Sequence, residues 1–141
     1  MASPRQPIWL TEDEVAAINA QAVALFGGLS GDVRDETLLK AALGRPLNKW
    51  HYDDPKPDIF ALAAAYGFAL VKGHPFRDGN KRTAYIAAVV FLELNGITRA
   101  PDQADIVTTM RGAADGSVSE ADLATWFEAN SAPATGGGDG G

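Results

Sequence analysis

The chain contains no cysteine, which removes disulfides and thiolate metal centres from consideration and suits a reducing compartment. It also lacks a membrane-length apolar run. The longest nearly uncharged stretch, Ile59 to Val71, falls short of the roughly 20 residues a spanning helix needs. Met1 to Pro7 is polar and proline-rich, without the basic start and apolar core of a secretory leader, so the expectation is a cytoplasmic protein. Positive charge is scarce: 12 Lys and Arg against 18 Asp and Glu give a formal net charge of −6. That balance argues against a broad nucleic-acid or anionic-membrane surface, but leaves room for a small basic pocket. What is present is 141 residues, 46% hydrophobic and 21% charged, enough for one domain with its own core.

Helix signals recur along the chain, whereas strand signals and fixed-period repeats are missing. Thr11 and Glu14 form a capping box, with Leu10 and Val15 placed as a hydrophobic staple. Val15, Ile18, Ala22 and Leu25 then repeat at helical spacing until Gly27-Gly28. A second helix is expected from Asp35 through Leu43, failing before Pro46. The three prolines between Arg45 and Pro57 predict a loop there. Asp58 caps a third helix to about Lys72, alanine-rich and apolar almost all round, the pattern of a buried central helix. A fourth is expected from about Asn80 to Leu94, closed by Asn95-Gly96. Two shorter ones follow near Asp102–Ala113 and Glu120–Ala129, the latter capped by Ser119 with Asp122 three residues on. The expectation is therefore a single all-α domain of about six helices over residues 1–130. A mobile Gly-rich tail is expected over 131–141.

Between the third and fourth helices the composition changes. Lys72, His74, Arg77, Lys81 and Arg82 face a single acid, Asp78, and make a cationic cluster in an acidic chain. A polyanion is the natural ligand for such a field. Gly79 permits a positive φ or a close backbone approach. The amides of Asn80, Lys81, Arg82 and Thr83 would open the fourth helix toward an anion, with Lys81 and Arg82 adding full charges. His74 can act as a base near neutral pH. Phe76 would pin the loop to the core, and Asp78 could hold Mg²⁺ or orient a nucleophile. Base, carboxylate, anion cradle and cations together are what phosphoryl or nucleotidyl transfer requires.

The segment His74-x-Phe76-x-Asp78-Gly79-Asn80-Lys81-Arg82 resembles the signature loop of the Fic/Doc superfamily, and Lys81 resembles its death-on-curing (Doc) toxin branch. The likeness extends over most of residues 8–130, through Gly27-Gly28, Asp35-Glu36 with Leu38 and Leu39, Arg45-Pro46, and Phe91 to Gly96. It implies a Fic/Doc fold and a toxin kinase that moves the γ-phosphate of ATP to a threonine of elongation factor Tu and halts translation. Neutralisation by a cognate Phd-like antitoxin, whose disordered tail folds on binding, is implied as well. By the same likeness His74, Asp78 and Arg82 are catalytic. Phe76, Gly79, Asn80, Lys81, Arg82 and Thr83 bind the nucleotide, and Asp78 holds the metal, with ATP and Mg²⁺ as cofactors. AMP-transferring Fic members carry glycine where Lys81 stands and a second arginine where Tyr85 stands. Both departures favour phosphate transfer, whereas Gly79 agrees with the AMP-transferring pattern. No internal inhibitory motif of the form [Ser/Thr]-x-x-x-Glu-[Gly/Asn] is present, so inhibition would come from another chain. The first helix and the Arg45–Asp54 segment are the expected docking surfaces.

Plainer readings compete with these. A lone His74 would be a helix-end histidine, Asp78 the N-cap of the fourth helix, Asn80 a further cap and Thr83 a capping hydroxyl. Lys81 and Arg82 could be solvated charges, but two cations at a helix N-terminus oppose the macrodipole, and an anionic partner accounts for that cost. A Walker loop is rejected, because Asn80 separates Gly79 from Lys81 and a helix precedes the segment. His51 is too distant in sequence to make a metal motif with His74. The rival functions are protein AMP transfer, a non-catalytic regulatory partner and a small helical RNase, the last disfavoured by the acidic balance.

Overall fold

A computed structural model describes residues 6–26, 33–99 and 103–133. Six helices and two short strands occur among them: α1 (Glu12–Phe26), α2 (Glu36–Tyr52), α3 (Ile59–Gly73), α4 (Asn80–Leu94), β1 (Ile97–Arg99), α5 (Gln103–Asp115), α6 (Glu120–Ala129) and β2 (Ser131–Pro133). The caps read in the sequence start these helices. Thr11 and Glu14 exchange side-chain and backbone bonds at 2.8 and 3.1 Å, and Leu10 and Val15 are buried beneath them. Asp58 accepts from Ala61, and Ser119 and Asp122 complete a second capping box, while Asp35, expected as the first residue of its helix, caps it instead by accepting from Thr37 and Leu38. The expected stop at Gly27-Gly28 and the start at Asp102 lie outside the described residues.

α3 is the axis of the domain. Every residue from Leu62 to Gly67 is buried, and the helix packs chiefly on α4, α2 and α6. Its small residues let α4 approach closely: a Cβ on Gly67 would meet Leu123 Cδ2 at 3.5 Å and the Ala84 carbonyl oxygen at 3.7 Å. Ala63, Ala64, Ala84, Ala87 and Ala88 are fully buried on the two helices. This crossing carries the α3–α4 loop, so the rigid part of the core sits directly behind the candidate site.

Tyr66 supplies the polar link in this core. It is fully buried, its ring lies 4.9 Å from Phe91, and its hydroxyl accepts from the Leu10 amide at 3.0 Å. Burial, partly opposed by that bond, pushes the phenol up from 10.0 to about 12. A raised folded-state value means that stability is intact below pH 10 and is lost as pH climbs through 12. Two units correspond to at most ~2.7 kcal/mol. Urea unfolding should therefore show a steep loss of stability between pH 10 and 12 that Tyr66→Phe flattens. Equal pH slopes in the two proteins would contradict this assignment.

Two expectations change. α2 does not end before Pro46 but runs through it to Tyr52, so Arg45–Tyr52 is helix rather than loop. Pro46 cannot donate to the preceding turn, at ~3 kcal/mol or more. The apolar face Leu39, Ala42, Leu43, Pro46 and Trp50 nevertheless continues unbroken across it. Burying Trp50 removes roughly 150–250 Å² from water, worth about 4–6 kcal/mol at about 25 cal/mol per Å², and that outweighs the lost bond. Trp50 sits edge-on to Trp9, which stacks on Phe91 at 5.9 Å. The second change is at the expected tail. Ser131–Pro133 pairs antiparallel with Ile97–Arg99, Thr98 opposite Ala132, which ties the end of α6 to the exit of α4. Residues 134–141 lie outside the described set. No helix among the described residues is long and apolar enough to cross a membrane.

Candidate active site

The loop from His74 to Gly79 joins the two central helices, and both its ends are in left-handed backbone. His74 is the C-cap of α3 at φ 53°, ψ 51°, and Gly79 is the N-cap of α4 at φ 74°, ψ 20°. His74 is the one non-glycine residue with positive φ among those described, a conformation costing about 1–2 kcal/mol. Its carbonyl is held from outside the loop: Arg34 donates Nε and Nη2 to it at 3.1 and 2.6 Å. The next carbonyl, of Pro75, accepts from the Arg34 and Asp35 amides at 2.7 and 3.1 Å, and Val33 bridges Phe76. A short antiparallel contact thus fixes the histidine end of the loop. Arg34 has no sequence signal beyond its place before the Asp35 cap, and sequence reasoning missed it.

His74 itself is exposed. Its Nδ1 lies 3.3 Å from the Asn80 amide nitrogen, and Nε2 has no partner among the described residues. The Asn80 amide nitrogen has two hydrogens, one given to the Phe76 carbonyl at 2.9 Å and one left to point at the ring. The ring can reach a hydroxyl brought in from solvent.

Asn80, expected to position ligand with its side chain, does something else. It is 5% exposed. Its Oδ1 accepts from the Phe76 amide at 3.0 Å while its Nδ2 serves the Phe76 carbonyl. The side chain closes the loop on itself, and only the backbone of Asn80 is left to face an anion. Phe76 and Thr83, also expected to bind nucleotide, are likewise turned inward. Phe76 is fully buried in the core. Thr83 is fully buried too, with its hydroxyl at 3.0 Å from Asn19 and its amide bonded to the Gly79 carbonyl at 2.9 Å. The amides left open to an anion are therefore those of Asn80, Lys81 and Arg82, which a helix's first turn leaves without intrahelical carbonyls.

Asp78 is not the helix cap. Gly79 is, and it has no side-chain cap bond. The Asp78 carboxylate accepts from the Gly79 amide at 2.8 Å and is partly exposed. A Cβ at Gly79 would meet Val23 Cγ2 at 3.3 Å and Asn19 Nδ2 at 3.4 Å. The glycine is thus required by its φ and by the approach of α1, and its missing side chain faces inward. Asn19 was missed in the sequence. The available signal was a polar residue on the buried stripe of Val15 and Ala22.

Lys81 and Arg82 are exposed on the first turn of α4. They open onto a cleft of about 460 Å³ between α4 and α5, lined also by Tyr85, Ile86, Gln103, Ile106, Val107, Met110 and Arg111. The cleft has the size of a small-ligand site. Three cations and no acid line it, with an apolar floor against which a base could lie. Tyr85 forms part of that wall, its ring 6.4 Å from Phe127 and 6.2 Å from Trp126. Lys72 leaves the expected cationic cluster: its ammonium bonds the Ala114 carbonyl and lies over Phe68. His51 is exposed on the last turn of α2. No group of three or more His, Cys, Asp or Glu suited to a metal ion occurs among the described residues.

The model of the Fic/DOC family matches residues 9–92. The chain is 33% identical to the protein kinase doc of Escherichia phage P1 over 117 residues, covering 82% of this chain and 89% of that protein. It is 40% identical to toxin Doc of Mycolicibacterium smegmatis over 90 residues, 64% of this chain and 68% of that one.

Proposed function

The chain belongs to the Fic/Doc family, and we propose that it is a Doc-type toxin kinase. In this reading it transfers the γ-phosphate of ATP to a threonine of a translation factor, elongation factor Tu being the first candidate. It acts in the cytoplasm and is neutralised by a Phd-like antitoxin whose disordered tail folds on binding. The observation that carries the proposal is the opening of the α4 first turn, with Lys81 and Arg82, onto a base-sized cleft free of carboxylates, with the exposed His74 ring 3.3 Å from the side chain of Asn80, the first residue of that helix.

The chemistry follows from the side chains. The His74 imidazole takes the proton of the acceptor hydroxyl as its oxygen bonds to the γ-phosphorus. The β–γ bridging bond breaks and ADP leaves. The Asn80, Lys81 and Arg82 amides and the two cations stabilise the charge on the transferring group, Arg82 with a fork that fits two phosphate oxygens. Asp78 would hold Mg²⁺, whose usual site is one or two carboxylates plus substrate phosphates; a single partly exposed carboxylate fits that pattern. When bound, the ion supplies charge neutralisation on the phosphates.

AMP transfer is the second reading. Gly79 was the residue in its favour, but its absent side chain faces Val23 and Asn19 rather than the anion side, so it does not discriminate between the two. Lys81 and Tyr85 do, and both support phosphate transfer. Incubation with elongation factor Tu and either γ- or α-labelled ATP tests this. Label is expected on the acceptor from the γ-position only. Transfer from the α-position alone would replace the kinase reading with AMP transfer.

A further inference from the structure

Asn19 lies at the middle of α1, fully buried, between Val15 and Ala22 on the face turned to α4. A core built for packing alone would carry an apolar residue there. The amide instead spends its donor nitrogen on the loop, on the Asp78 carbonyl at 2.8 Å and the Thr83 hydroxyl at 3.0 Å. Its own Oδ1 is buried without a partner. Turning the amide over would set Oδ1 against the Asp78 carbonyl, acceptor against acceptor, so the orphaned oxygen follows from aiming the donors. The two acceptors flank Gly79: one is the last residue before the helix cap, the other is one turn into α4. Asn19 and Val23 also fill the space beneath Gly79.

We infer that Asn19 is a positioning residue for the phosphate-transfer site, an inference that rests on the reading of the loop given above. By holding the Asp78 carbonyl, it sets the orientation of the Asp78–Gly79 peptide. The first-turn amides of α4 then face one anion, with the Asp78 carboxylate held at a fixed place beside them. Arg34 fixes the histidine end of the same loop, and Asn19 fixes the carboxylate end from a helix 59 residues upstream.

The test uses the full chain with Asn19→Leu, close in volume, and Asn19→Ala, which leaves room for a water in place of the amide. Asn19→Leu removes two bonds but also the orphaned Oδ1, so its thermal midpoint should fall only modestly, and the KM for the protein acceptor should stay near wild type. Its kcat should fall about 10²-fold, the scale of a small misplacement of reacting groups. Asn19→Ala should recover part of that loss. Titration with inorganic phosphate, followed through the backbone amide resonances of Asn80 and Lys81, should shift both in wild type and neither in Asn19→Leu. Wild-type kcat together with wild-type phosphate shifts in Asn19→Leu would overturn the inference. So would equal losses in both variants that track a lowered thermal midpoint. If wild type binds phosphate at these amides but transfers no label, the kinase reading fails, and the phosphate shifts still decide the role of Asn19.

Discussion

His74→Ala is expected to lower phosphate transfer by about 10²–10⁴, the usual worth of a positioned general base, while the affinity for ATP and the thermal midpoint stay near wild type. The expectation follows from where the ring sits. It is exposed and makes one long contact, to Asn80, so the core loses nothing with it. The groups proposed to hold the nucleotide, the α4 amides with Lys81 and Arg82, are left in place by the substitution. The backbone at φ 53° asks for a control, because alanine tolerates that region less well than histidine or asparagine. His74→Asn removes the base with the backbone preference retained and should lose as much activity as His74→Ala. Steady-state labelling with ATP and acceptor, together with growth arrest on expression, gives the readout. Full activity in either variant would remove His74 from the proton transfer.

Asn80→Ala is expected to lower the stability of the ligand-free protein by about 2–6 kcal/mol. The Phe76 amide and carbonyl both lose their partner in a buried setting, at about 1–3 kcal/mol for each group left unsatisfied. The direction separates two roles that look alike in sequence. A side chain kept for ligand contact would leave the empty protein as stable as before, or more so. A clamp that closes the loop costs stability with no ligand present. Chemical unfolding without nucleotide measures this directly, and an unchanged midpoint would return Asn80 to the ligand-facing set. Activity should fall as well, since Phe76 anchors the segment between His74 and Asp78.

Local chemistry was legible in the chain. The caps at Thr11, Asp58 and Ser119 depend on residues within a turn of one another, and each forms as read. The buried character of α3 follows from its composition, and the αL turn at Gly79 from the residue type. Where distant residues decide, the reading failed. Pro46 signals a helix end by every local rule, yet the face shared by Leu43 and Trp50 carries α2 past it. Ser131–Pro133 resembles an unstructured tail until β1 offers a partner. Asn80 and Thr83 read equally well as ligand contacts or as scaffold, because the sequence does not show which way a side chain points.

The sequence by itself determined that six helices form, that the segment from His74 runs from the third into the fourth at about Asn80, and that His74 to Thr83 concentrates cations around one carboxylate. Those properties belong to spacing, capping and residue type. Only the tertiary structure decided which of those residues face solvent: His74, Lys81 and Arg82 outward, Phe76, Asn80 and Thr83 inward. It also recruited Arg34 and Asn19 to hold the loop ends. Orientation is set by packing between elements tens of residues apart, and no local pattern carries that information.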